Sequence, residues 1–281
     1  MLRAGPFSDE RVVRLSNRRF VPFFFDLSDR GAAGDPDARR FVVAKRKRLG
    51  GQSVSPPDLL VMSAEGEILA EISNFATEDA VLKAMREVLD KHPQFAKPTE
   101  TEQELTGVAK AEICIDLLDY KGAVAALADL ETDRANYLRG RIQRFLGDGP
   151  AAEACLAKVS DAELKDDVRM ERAQLQWQQG NFQELAQLVA DFPQASNRYS
   201  EACYYLGLAK YHTGQKDEAR DIWKDSIESL RQDRWIYRCD WAYCALSKGS
   251  GRMTFSSSAK RTSPLNRIGY MGRRNPDLAR R

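Results

Sequence analysis

Apolar positions along this chain change period partway through. In the first third, Val12, Val13 and Leu15 follow a helix start with Ser8 as the N-cap and acidic residues in the first turn. The run FVPFFFDL at 20–27 is short, β-rich and bounded by polar turns, so it predicts a buried strand. A second helix is expected over 36–46 and a loop over 50–57. Residues 58–62 and 68–72 should form a strand pair, turning at Ala64-Glu65-Gly66-Glu67. Val81, Leu82, Met85, Val88 and Leu89 then make the stripe of an amphipathic helix over 78–92. The polar stretch 91–104, with two prolines, predicts a linker and a domain boundary near residue 98.

Beyond that boundary the pattern is that of helix hairpins. In 200–228, Tyr204, Leu208 and Tyr211 mark one helix and Gly214 stops it. Ala219 and Trp223, four apart on a second helix, place a small residue beside a large wedge. Turn signals recur at Asp119-Tyr120, Gly147-Asp148, Gly180-Asn181 and Gly214. Ala123, Ala152, Leu185 and Ala219 follow them at intervals of 29, 33 and 34 residues. Residues 105–233 therefore read as four repeats, and 234–246 as a closing helix over the exposed face of the fourth.

These features resemble the tetratricopeptide repeat, whose pattern expects Leu-Gly in the first helix (Leu206-Gly207), Gly before the turn and Ala plus a bulky residue in the second helix. Cys203 stands where the family often has Trp, and Lys210 where it often has Tyr. The resemblance implies a groove built from the first helix of each pair and lined by Tyr137, Arg141, Arg144, Met170, Trp177, Tyr204, Leu208 and Tyr211. Such a lining suits an extended or helical peptide; the same tyrosines could instead simply cover neighbouring helices. Upstream, NRRFVPFFFD and SPPDLLVMSAEGEIL resemble the distal half of a thioredoxin-like domain, with Pro57 at the position that family usually holds in cis. The family's Cys-x-x-C is missing, since no cysteine precedes Cys114.

The expected organisation is thus an incomplete α/β thioredoxin-like domain over 1–97, an all-α helical-hairpin array over 98–248 and an extended basic tail over 249–281. Net charge sharpens it: the three pieces carry +2, −7 and +7. The tail lacks any period and should be extended or disordered alone. Its Leu265, Ile268, Tyr270 and Met271, flanked by arginines, read as a docking peptide, for the array, for a neighbouring copy or for a larger assembly. A disordered basic extension is the alternative.

Five cysteines without close spacing argue against a disulfide framework, and no apolar run is long enough for a membrane span or a signal peptide. A cytoplasmic chain is expected. His92 and His212 lie far apart with no metal-ligand spacing, and Cys239 and Cys244 read as core residues. No P-loop, GxGxxG or GxSxG occurs, and Asp116, Asp119 and the acids of 161–167 read as ordinary helix-surface charges. Lys45-Arg46-Lys47-Arg48 reads as a solvated face. No catalytic set, metal or cofactor is expected. The expectation is a non-catalytic adaptor that binds another protein or peptide. The alternatives are a thiol-disulfide oxidoreductase whose Cys-x-x-C lies upstream of Met1 and an RNA- or ribosome-associated factor using the tail.

Overall fold

The computed structural model describes residues 9–22, 59–72, 77–229, 231 and 233–247, together with the backbone of two short strands near the C-terminus. Helices dominate the described residues, and their strands form two two-stranded antiparallel sheets.

Helix α1 (Glu10–Arg19) starts one residue later than expected. Its N-cap is Asp9, whose carboxylate accepts from the backbone N–H groups of Arg11 (2.8 Å) and Val12 (3.4 Å), relieving two of the donors that a helix start leaves unpaired. Val12 and Leu15 are buried. Strands β1 (Leu59–Met62) and β2 (Ile68–Ile72) pair antiparallel with an irregularity after Val61, and the turn between them takes Gly66 at φ +86°. Helix α2 (Glu78–Lys91), capped by Thr77, buries all five predicted stripe residues. These elements share a core of Val12, Leu15, Val61, Ile72 and the α2 stripe. Phe20 to Pro22 continue from α1 without strand structure. The rest of the expected strand at 20–27, the expected helix at 36–46, the basic run 45–48 and Pro57 lie outside the described residues.

The stretch expected as a linker instead holds α3 (Pro93–Ala96) and α4 (Glu100–Glu104). Thr99 and Glu102 form a reciprocal capping box, and Arg19 of α1 grips the Glu102 carboxylate with both guanidinium nitrogens, at 3.1 and 2.8 Å. Polar composition suggested a loop, but these residues are polar because they cap and pair.

Four hairpins follow: α5 (Gly107–Asp116) with α6 (Tyr120–Leu127), α7 (Asp133–Leu146) with α8 (Gly149–Leu156), α9 (Lys165–Gln179) with α10 (Phe182–Val189), and α11 (Tyr199–His212) with α12 (Lys216–Glu228). A short 3-10 turn, Ala162–Leu164, leads into α9. Helix α13 (Arg234–Ser247) packs on both α11 and α12. A small residue on the first helix and a large one on the second recur at one register in every hairpin. Ala111, Gly140, Ala173 and Gly207 of the first helices recur at the 29, 33, 34 spacing, and so do Leu127, Leu156, Val189 and Trp223 of the second helices; all eight are buried. At Gly140 an added Cβ would lie 2.7 Å from Leu156, and at Gly207 2.2 Å from Trp223, so the two backbones approach as far as the missing side chains allow.

Turns between paired helices use left-handed backbone at Gly147, Gly180 and Gly214, and at Leu118 in the first hairpin. Leu118 tolerates φ +60° because its side chain is buried in the core of α1, α2 and β1/β2. Near the C-terminus, β3 (Thr254–Ser256) pairs with β4 (Arg267–Gly269), bringing Phe255 into register with Ile268. Leu265, Tyr270 and Met271 lie outside the described residues.

Candidate functional site

The predicted groove positions fall on one face of α7, α9 and α11, and that face is covered. Tyr137, Arg141, Arg144, Met170, Trp177, Tyr204 and Leu208 are all buried, whereas Tyr211 is half-exposed. Two different groups form along it.

An aromatic group occupies the far end of the array. Trp177 packs against Phe182, Tyr205 and His212, and His212 stacks on Phe182 at 4.3 Å. Burial lowers the affinity of His212 for a proton. Tyr204 meets Trp235 of α13, and Arg238 lies over both rings, 4.9 Å from the Trp235 centroid and 5.5 Å from that of Tyr204. His92 contacts Phe95, and His212 contacts Trp177 and Phe182. Among the described residues no group of three His, Cys, Asp or Glu side chains is placed to hold a metal ion.

A buried charge network occupies the middle. Glu171 of α9 is fully buried and collects Arg144 through Nε (2.5 Å), Arg141 through Nε (3.5 Å), Arg198 through Nη2 (3.7 Å) and the Tyr137 hydroxyl, which donates at 3.4 Å. Arg198 donates to Glu201, itself fully buried, at 2.8 Å and pairs with Asp167 at 2.9 Å; Gln174 donates to Glu201 at 2.5 Å. Burial pushes the Glu171 carboxyl upward, but Arg144, Arg141 and Arg198 outweigh it and hold it below its ordinary range. Burial brings Arg141 down to about 10, against the pull of Glu171. The Arg144 guanidinium is fully buried and lies over the Phe145 ring at 4.4 Å. Its Nη1 and Nη2 find no hydrogen-bond partner among the described residues.

Helix α1 meets this face. Glu10 pairs with Arg141, while Arg14 and Arg18 reach Asp116 of α5 at 2.6 and 2.8 Å. Asp116 is therefore an inter-element clasp rather than an ordinary surface charge. Asp167 pairs with Arg198, and Asp119 and Asp161 accept backbone N–H groups at helix starts. Pattern reasoning found Arg141 and Arg144 but missed Glu171, Arg198, Glu201 and Glu10. One signal was present: Glu171 occupies the register filled by Leu138 and Tyr205 in the flanking repeats, a charge at a core position.

The arrangement offers charge recognition. The cysteines are free thiols, and burial raises the pKa of Cys114, Cys203 and Cys239, keeping them protonated at neutral pH. No described helix is long and apolar enough to cross a membrane. Comparison with protein-family models, with curated proteins and with solved structures finds no match to this chain.

Proposed function

We propose that this chain is a non-catalytic adaptor: a tetratricopeptide-type array that binds another protein, preceded by a small thioredoxin-like unit without the redox cysteine pair. The supporting observation is a small first-helix residue paired at one register with a large second-helix residue in four successive hairpins, Ala111/Leu127, Gly140/Leu156, Ala173/Val189 and Gly207/Trp223, all buried and in direct contact at the two glycines. Stacked hairpins of this kind are a common protein-recognition architecture, and in this chain α1 and α13 lay Glu10 and Trp235 against the first-helix face. The protonated thiols support a binding role over dithiol exchange.

The test is affinity capture from the source cells with the full chain as bait, alongside an insulin-reduction assay. A defined partner retained at physiological salt, with no reductase activity, is the expected outcome. Catalytic reduction of insulin by the purified chain would overturn the adaptor reading in favour of an oxidoreductase.

A further inference from the structure

Helix α1 is two-sided. Val12 and Leu15 face the core shared with α2 and the β1/β2 hairpin, whereas Glu10, Arg14, Arg18 and Arg19 face the helices beyond residue 98. Arg19 and Arg18 hold Glu102, at 2.8 and 3.6 Å, and Arg14 and Arg18 hold Asp116. Apolar contributions from the array to this seam are few: Leu117, Leu118 and Tyr120 of the first hairpin. The seam is therefore held largely by ion pairs, most of them partly exposed, which individually stabilise little and weaken with salt.

Its charges are also ordered. At the α5 end, basic residues of α1 meet acids of the array. Toward α7 the order reverses: Glu10 pairs with Arg141. The array thus offers Arg141 and, one turn on, Arg144 on the side where the N-terminal unit offers Glu10, and Arg144 keeps two buried nitrogens with no hydrogen-bond partner among the described residues.

Resting on the adaptor reading, we infer that this arginine pair is the docking surface for a carboxylate-bearing segment of a partner protein, and that Glu10 occupies it in cis. The N-terminal unit acts as a pseudo-ligand. A partner gains access when the Arg14–Asp116, Arg18–Asp116 and Arg19–Glu102 clasp releases. Arginine suits this role because its planar fork pairs with carboxylates in two-point contacts, and charge complementarity of this kind governs specificity and association rate.

The experiment opens the clasp without touching the arginines. In the full chain, Glu102→Arg with Asp116→Arg reverses the array's half. Arg14→Glu with Arg18→Glu reverses the helix's half and leaves the array sequence intact, which guards against a folding defect in the first variant. Amide exchange in α1 reports opening, and exchange in α11 and α12 reports the fold. The probe is fluorescein-labelled decaglutamate, with a ten-residue oligothymidylate as a phosphate control. Either opened variant is expected to exchange faster in α1 and to bind decaglutamate at least about tenfold more tightly than the parent chain. Adding Arg141→Gln to each opened variant should return binding to the parent level. Unchanged α1 exchange in both variants overturns the inference. So does opening without a gain in affinity, a gain that survives the glutamine changes, or a gain equal for oligothymidylate. A partner captured equally well by the parent and by the Arg141→Gln chain would sink this surface while leaving the adaptor reading intact.

Discussion

The Trp223 indole lies directly against the Cα of Gly207, and its Nε1–H donates to the carbonyl of Tyr204 at 3.2 Å. This one contact fixes how closely α11 and α12 approach and ties the wedge to the backbone it wedges against. Gly207→Ala places a Cβ 2.2 Å from Nε1 and 2.4 Å from Cε2, and the indole is fully buried, so it cannot swing aside. Overpacking together with the lost hydrogen bond should cost about 3 kcal/mol. Trp223→Phe, which removes the donor and part of the ring, is expected to cost less, on the order of 1–2 kcal/mol. Urea denaturation of the two variants checks the order.

Removing Glu171 strips the buried arginines of their shared counter-charge. Glu171→Gln is expected to destabilise the chain by about 3–5 kcal/mol, the range for breaking a buried pair by deleting one partner. Tyr137→Phe, which loses only a long 3.4 Å hydrogen bond, should cost under about 1 kcal/mol. The folded carboxyl sits below its unfolded value. Its stabilisation is thus fully present above the unfolded pKa, roughly 4.3, and is lost as pH falls through the folded value. In Glu171→Gln this acid-side loss should be reduced, as measured by denaturation between pH 7 and pH 3.

Glu78 has the opposite sign. Burial raises its carboxyl to about 7, against the pull of Arg238. Between the unfolded value and about 7 the folded chain holds the proton that the unfolded chain has released, so this group makes stability fall as pH rises through that window. Glu78→Gln should flatten the fall and leave the chain at least as stable as the parent at pH 8. A steeper decline in the variant, followed by thermal melting from pH 5 to pH 8, would contradict this assignment.

The left-handed turn positions make a paired test. Gly180 has φ +77° with open space around a built Cβ, so Gly180→Ala should cost only the backbone penalty of about 1–2 kcal/mol. Leu118→Gly relieves the same penalty yet surrenders a buried side chain worth about 2–5 kcal/mol, and the net result should be a loss. Equilibrium unfolding of both variants separates backbone strain from packing.

Local and periodic features were legible in the sequence. The α2 stripe, the β1/β2 hairpin with Gly66, the hairpin register from Ala123 to Ala219 and the capping position of α13 over α11 and α12 follow from side-chain period and turn chemistry. Both act over a few residues, and the repeat simply copies them. Tertiary structure decided the rest. Tyr204 and Leu208 carry the same pattern whether a groove is open or filled, and only the packing of α13 and the neighbouring hairpins buries them. Glu10 and Arg141 stand 131 positions apart, and Arg19 and Glu102 stand 83 apart. A charge on a helix surface looks alike in sequence whether it meets water or a partner, because its energy depends on what is brought beside it across the fold.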